Sequence, residues 1–297
     1  GMDLRSGGHL THGAKVSISG KYFESYGYGL DASGVIDYKQ VRELALKHRP
    51  KLIICGTTAY PRVIDFKKFR QIADEINAFL LADITHIAGL VVAGLHPSPI
   101  NYAHITTTCT HKQLYGPRAG LILMGDEWNI PSPNGEGTLS DLIQRGIFPL
   151  CQGAPVLNTI TAKARTLQRI VTPEFRDLML NIRRIADGIA NRLMEKGVRV
   201  MSNGSDNHIV VVDVLTSFNL TGYIAEKALE ECGIIVNKNS ICGDQKSPLI
   251  TSGIRIGTNG LAARGINDEA VERCVELINM TLKNVSPIDD KSYCLDD

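Results

Sequence analysis

The chain has 297 residues, 32 basic against 31 acidic side chains, and seven cysteines. That balance argues against a steering field for nucleic acid or an anionic membrane, so neither is expected as a partner. The cysteines are odd in number, scattered and without a CxxC pair, which argues against a disulfide scaffold or zinc site and fits reduced thiols in the cytoplasm.

The length suffices for one large domain or two smaller ones, each with a core. No signal-peptide pattern opens the chain, and Gly1 before Met2 reads as a tag remnant. Residues 7–13 (GGHLTHG) form a glycine-flanked loop carrying His9 and His12. Two histidines so close suggest metal ligation, but no Asp, Glu or Cys cluster accompanies them. A polar turn is the simpler reading, and no metal is expected. Residues 37–48 carry Val41, Leu44 and Ala45 at helical spacing, and Pro50 stops the helix. Residues 51–55 (KLIIC) read as a strand running on through Gly56 and Thr57 to Thr58. Residues 66–77 repeat the helical pattern with Phe69, Ile72, Ala73 and Ile76 inward, and 79–83 read as the next strand. This β-α-β alternation predicts an α/β fold with a largely parallel sheet and right-handed crossovers. The loops after the strands then share one edge, and with them Thr58, Asp83, His86 and Lys112.

The apolar run 84–95 is too short to span a bilayer. Residues 125–138 (GDEWNIPSPNGEGT) are rich in turn formers and read as a surface loop. Residues 159–170 and 173–196 read as long helices, the second ended by Gly197. The domain boundary is expected along this helical stretch. Residues 198–201, 208–214 and 234–236 are strand candidates, and 223–232 and 267–283 are helices of a smaller α/β domain. The last dozen residues are polar and expected to be loose.

The chemistry concentrates in residues 80–120. Asp83 follows Phe79, Leu80, Leu81 and Ala82, the pattern of a strand buried in a parallel sheet. A carboxylate just past such a strand stands where open α/β sheets bind ligands, and if shielded from water it needs a partner. A protonated pyridine nitrogen is one partner. Capping a helix that begins near Ile84 is the plainer alternative. Lys112 follows the β-branched run ITTTCTH (105–111). A lysine in a partly dry site is a nucleophile toward aldehydes, whereas an ordinary lysine is a solvated surface charge. Arg255 follows Thr251, Ser252, Gly253 and Ile254 on a probable strand. Its guanidinium can grip a carboxylate through two parallel hydrogen bonds, or make a surface salt bridge. Thr58 also reads as a turn hydroxyl, and His86 as a residue of a capped helix.

Six segments carry a resemblance: GGHLTHG (7–13), DITHIAGLVVAG (83–94), TTTCTHKQLYGPRAG (106–120), SDNHIVVVD (205–213), VNKNS (236–240) and TSGIRIGT (251–258). In this order they resemble serine hydroxymethyltransferase, a family of pyridoxal 5′-phosphate (PLP) enzymes of fold type I. The resemblance implies a mainly parallel sheet with helices on both faces. Residues 1–158 would be the remnant of the large PLP-binding domain, and 159–297 the connecting helices and a smaller C-terminal α/β domain. It implies that Lys112 carries PLP, that Asp83 pairs with the ring nitrogen, and that His86 and Thr58 lie near the phenolic oxygen. It places His9 on the ring face and His111 among the cofactor contacts. Gly153, in FPLCQGAP (148–155), is implied to reach the phosphate held by the partner subunit. Arg255 is implied to bind the substrate carboxylate, with Asn239, Gly8 and Leu10 at the folate. The implied reaction interconverts serine and glycine with transfer of a one-carbon unit to tetrahydrofolate, in a cytoplasmic homodimer or larger assembly.

The chain also departs from the family pattern. The family's long region ahead of GGHLTHG has no counterpart here. That region carries a glutamate acid–base, substrate-side tyrosines, a Ser-Gly pair at the phosphate and helices of the dimer interface. Its loss predicts a missing strand and an exposed sheet edge that needs cover, from a tight dimer or from a separate chain supplying those elements. Cys109, Tyr115, Ala119, Ala154, Asn158 and the pair Asn259-Gly260 replace residues usual in the family. None of these changes removes Asp83, Lys112 or Arg255. Two further functions stand beside the first: folate-independent cleavage of β-hydroxy amino acids, and a catalytically incomplete subunit that needs a partner chain.

Overall fold

The computed structural model describes residues 1–295. In chain order its helices and strands are α1 (Ile18–Tyr22), α2 (Tyr38–His48), β1 (Leu52–Gly56), α3 (Phe66–Glu75), β2 (Phe79–Asp83), α4 (Ala88–Val92), β3 (Ile105–Cys109) and β4 (Gly120–Leu123). There follow α5 (Leu139–Arg145), α6 (Leu157–Ile170), α7 (Pro173–Glu195), β5 (Ile209–Asp213), α8 (Val214–Phe218), α9 (Gly222–Glu231), β6 (Asn237–Asn239) and β7 (Gly253–Gly257). Last come α10 (Asn259–Ala263), α11 (Asp268–Lys283), β8 (Val285–Pro287) and β9 (Tyr293–Leu295). They form two compact units. One holds Arg42–Gly56 and Ile64–Arg176; the other holds Gly1–Val41, Thr57–Val63 and the chain from Asp177 on. Packing thus groups the first residues of the chain with its C-terminal part. A division at 158/159 is a proposal about function.

The first unit is built on a four-stranded sheet in the order β1-β2-β3-β4, with β1, β2 and β3 parallel and β4 antiparallel to β3. Side chains alternate across a strand, so Ile53 and Cys55 share one face with Leu80 and Ala82 and with Thr106 and Thr108, and all six are buried. Helix α3 packs on β1 and β2 and buries Phe66, Phe69, Ile72 and Ala73. Each large apolar side chain removed from water there contributes about 1.5–3 kcal/mol. Asp65 starts the helix by accepting the Lys68 amide at 3.0 Å. The loop after β4 does more than turn: Glu127 takes two hydrogen bonds from Arg70 of α3, at 2.8 and 2.9 Å.

The second unit carries an antiparallel sheet in the order β5-β7-β6. Every residue of β5 is buried. Along α7, Met179, Ile182, Ile185, Ala186, Ile189, Ala190 and Leu193 are buried at spacings of three and four, the stripe of a helix laid on a core. No helix among the described residues is long and apolar enough to cross a membrane.

Four local expectations need correction. Residues 198–201 form no strand; only a bridge from Val200 to Val212 survives, because Ser202 and Asn203 take left-handed φ of 54° and 55° and turn the chain away. The strand expected at 234–236 lies three residues on, at Asn237–Asn239, where the backbone pairs with β7 and the polar side chains stay at least partly exposed. The helix expected near Ile84 begins at Ala88. The last dozen residues are not wholly loose: β8, which begins just before them, pairs with β9 as a short hairpin.

Candidate active site

In the first unit the parallel register puts the ends of β2 and β3 side by side, with Asp83 opposite Thr107 on one flank and Gly56 on the other. A side chain at Gly56 could not coexist with this: its Cβ would lie 2.5 Å from the Asp83 carbonyl oxygen and 2.7 Å from the Asp83 Cβ. Asp83 is half-buried, and its Oδ1 accepts the Thr85 amide at 3.0 Å. That bond makes a tight turn, not a helix cap, since α4 starts five residues after Asp83 and its N-cap position is Ile87. The turn carries His86.

Beyond β3 the chain enters the loop that holds Lys112. Thr110 closes this loop at both ends. Its amide donates to the Ala119 carbonyl at 2.9 Å, its carbonyl accepts the Gly116 amide at 2.7 Å, and its hydroxyl donates to the Pro117 carbonyl at 2.5 Å. Tyr115 takes a left-handed φ of 53° to complete the turn, a conformation that costs a non-glycine residue energy. The result is that Lys112 Nζ stands 2.9 Å from His86 Nε2. An ammonium there donates to a ring nitrogen that carries no hydrogen. Asp83, His86 and Lys112 are therefore brought to one edge of one sheet.

The second unit gathers another set around Thr58. The Thr58 amide donates to the Gly7 carbonyl at 2.7 Å, so the loop with Gly8, His9 and Leu10 is tied to it. The Thr58 carbonyl accepts Arg255 Nη1 at 3.1 Å, and Arg255 Nη2 donates to Asn237 Oδ1 at 2.8 Å. Both partners are neutral. Among the described residues no carboxylate pairs with Arg255, so the surface salt bridge expected as its ordinary use is not made. Burial pushes the Arg255 guanidinium below its ordinary value, as expected for a charge short of water and of a counter-ion. His9 Nδ1 accepts the Thr11 amide at 3.2 Å, and its ring meets that of His12 edge-on at 5.7 Å between centroids. Gly8 is buried against the Met2 carbonyl, while Leu10 is exposed. Asn239 donates to the Ser240 carbonyl at 2.6 Å and lies on β6 two residues from Asn237.

Gly153 falls in an exposed turn ahead of α6, with nothing within 4 Å of where its Cβ would be. Its neighbour Ala154 takes a φ of 45°, the region that favours glycine, although no glycine stands there. His111, half-buried next to Lys112, keeps a buried Nδ1 with no hydrogen-bond partner, as does the hydroxyl of Thr58. Sequence reasoning missed Asn237. Its place two residues before Asn239, on the same side of a strand, was the available signal.

The residues of the first unit fit PLP: an amine and an acid sit at adjacent strand ends, and the buried Nδ1 of His111, beside the amine, lacks a partner of its own. In the second unit the buried Thr58 hydroxyl lacks a partner, and the Arg255 guanidinium pairs with no carboxylate among the described residues. The serine hydroxymethyltransferase family model matches residues 1–278, a span that includes all six sequence segments and every candidate site residue. That family consists of PLP-dependent transferases of fold type I acting on serine and glycine, and the mostly parallel α/β sheet agrees with it. The chain therefore belongs to the serine hydroxymethyltransferase family.

Proposed function

We propose that this chain interconverts serine and glycine with PLP bound to Lys112, passing the one-carbon unit to tetrahydrofolate. The observation that carries the reading is the 2.9 Å contact between Lys112 Nζ and His86 Nε2, on the sheet edge where Asp83 ends β2. When bound, PLP supplies an electron sink at its ring nitrogen. Asp83 keeps that nitrogen protonated by offering a carboxylate to it. Lys112 anchors the group by its amine, and His86 orients the amine through the hydrogen bond they share. Thr58 offers its hydroxyl to the phenolic oxygen, and His9 covers the ring and keeps water off it. Gly153 and His111 serve the cofactor's periphery, Gly153 at the phosphate of the partner subunit. Arg255 grips the carboxylate of the amino acid, its fork held open by Thr58 and Asn237. Gly8, Leu10 and Asn239 border the folate. In this reading the protein is a cytoplasmic homodimer or larger.

The test uses the purified chain. Added PLP is expected to give a visible absorbance band that Lys112→Ala abolishes. Serine with tetrahydrofolate is then expected to yield glycine. A band with cleavage of β-hydroxy amino acids but no dependence on folate means a folate-independent aldolase instead. No band at any workable PLP concentration sinks the self-sufficient enzyme and leaves a subunit that needs a partner chain.

A further inference from the structure

The residue after Lys112 is buried and has no role in the reading above. Gln113 is 1 % exposed. Its Oε1 accepts the amide of Leu90 at 3.2 Å, while its Nε2 is buried without a hydrogen-bond partner. The orientation of the amide is settled by its partner, because a backbone N–H can meet only the oxygen. Leu90 is the third residue of α4, whose first-turn amides need acceptors from outside the helix. The N-cap position is held by Ile87, which makes no side-chain cap. Gln113 supplies the missing acceptor from another segment. An apolar side chain of the same length would fill the space without stranding an NH2 group, so packing alone does not account for glutamine here.

The connection closes a small ring. Gln113 is bonded to Lys112, and Leu90 is four residues from His86 through α4. The Lys112–His86 contact joins the other two ends. We infer that Gln113 is a positioning residue: by capping α4 at Leu90 it locks the histidine turn to the lysine loop and so sets the Lys112–His86 distance. The inference rests on Lys112 being the amine of the proposed reaction.

The test uses the full chain before any PLP is added, so it stands apart from cofactor binding, which the visible band reads separately. In Gln113→Met the lysine is expected to lose its steady acceptor, and Lys112 should be labelled by an amine-directed reagent faster by about fivefold, the factor of one neutral hydrogen bond. The ring 15N signal of His86 Nε2 should move toward that of a free imidazole. Gln113→Glu, which keeps an acceptor at the same reach, should restore the histidine signal. A folded Gln113→Met chain with wild-type labelling and a wild-type His86 signal overturns the proposal. If that variant does not fold, hydrogen exchange on the wild type decides. The Leu90 amide should be protected, and exchange as fast as an uncapped first-turn amide also overturns it.

Discussion

Lys112 Nζ and His86 Nε2 lie 2.9 Å apart, although 26 residues separate them in the chain. Two parallel strands, β2 and β3, end side by side and hand each residue to its own turn, Asp83–Thr85 for the histidine and Thr110–Ala119 for the lysine. For the bond to form with the amine protonated, the neutral ring must carry its hydrogen on Nδ1. His86→Ala removes the acceptor. The visible PLP band is expected still to form, but in stopped-flow mixing its rate should fall by about tenfold, the factor of one hydrogen bond to a charged group. An unchanged rate means the contact plays no part in capturing the aldehyde.

In the second unit Arg255 meets only neutral acceptors, Thr58 and Asn237. A lysine in its place keeps a charge but loses the fork. In Arg255→Lys the PLP band should be retained while the KM for serine rises by about a hundredfold, as expected for a lost charge-assisted pair. Asn237→Ala should raise it by only a few-fold, since it frees one arm of the guanidinium. If Arg255→Lys and wild type bind serine alike in a spectral titration, carboxylate binding lies elsewhere.

Gly56 separates packing against Asp83 from general sheet stability. Gly56→Ala drives a methyl group to 2.5 Å from the Asp83 carbonyl, so β1 and β2 must part. The expected loss is about 1–3 kcal/mol, with a displaced PLP band because Asp83, the proposed partner of the ring nitrogen, moves. Gly120→Ala is the control. It lies on β4 of the same sheet, where the nearest atom to a new Cβ is the Thr108 carbonyl oxygen at 3.8 Å. That variant should keep the wild-type band and melt within about 2–4 °C of wild type.

His104 makes stability depend on pH. Its Nδ1 accepts the Leu80 amide at 2.9 Å, at the second residue of β2. Burial first, and then the charge of Arg70, push its pKa below the ordinary histidine value, against an opposing pull from Glu127 and Asp74. A protonated ring cannot accept that amide. The unfolded chain therefore takes up the proton first, and stability is lost as pH falls. The contribution is complete above the unfolded value of about 6.5 and disappears as pH drops through the lower folded value. Urea midpoints at pH 7.5 and pH 5.5 should fall further for wild type than for His104→Gln. Equal falls remove His104 from the acid response.

The Arg70–Glu127 pair is a test of the loop after β4. It is bidentate, and Arg70 also holds Asp74 at 2.7 Å. Glu127 is partly exposed, so solvent screens the pair. Glu127→Gln is expected to cost about 1 kcal/mol, less in high salt, read by denaturant unfolding. A salt-independent cost assigns the effect to packing.

Periodicity and residue type were enough for the β-α-β alternation, for the strand that ends in Asp83 and for the long helix stripe of α7, because each is a local pattern of apolar spacing. The six motifs were enough for the family. What the chain could not display in one dimension was who meets whom. Asp83 also read as a helix cap, and only the turn to Thr85, with α4 starting later, removed that reading. Residues 234–236 read as a strand because they are apolar, yet the ladder took the asparagines that follow, whose place is set by pairing with β7. Arg255 read either as a carboxylate grip or as one half of a surface salt bridge, and only its neutral partners removed the second, while Gln113 had no role until Leu90 came within reach of its oxygen. The physical reason is the same each time. Local pattern reports what a segment buries, whereas hydrogen-bond partners across 20 to 200 residues exist only once the sheets bring their ends together.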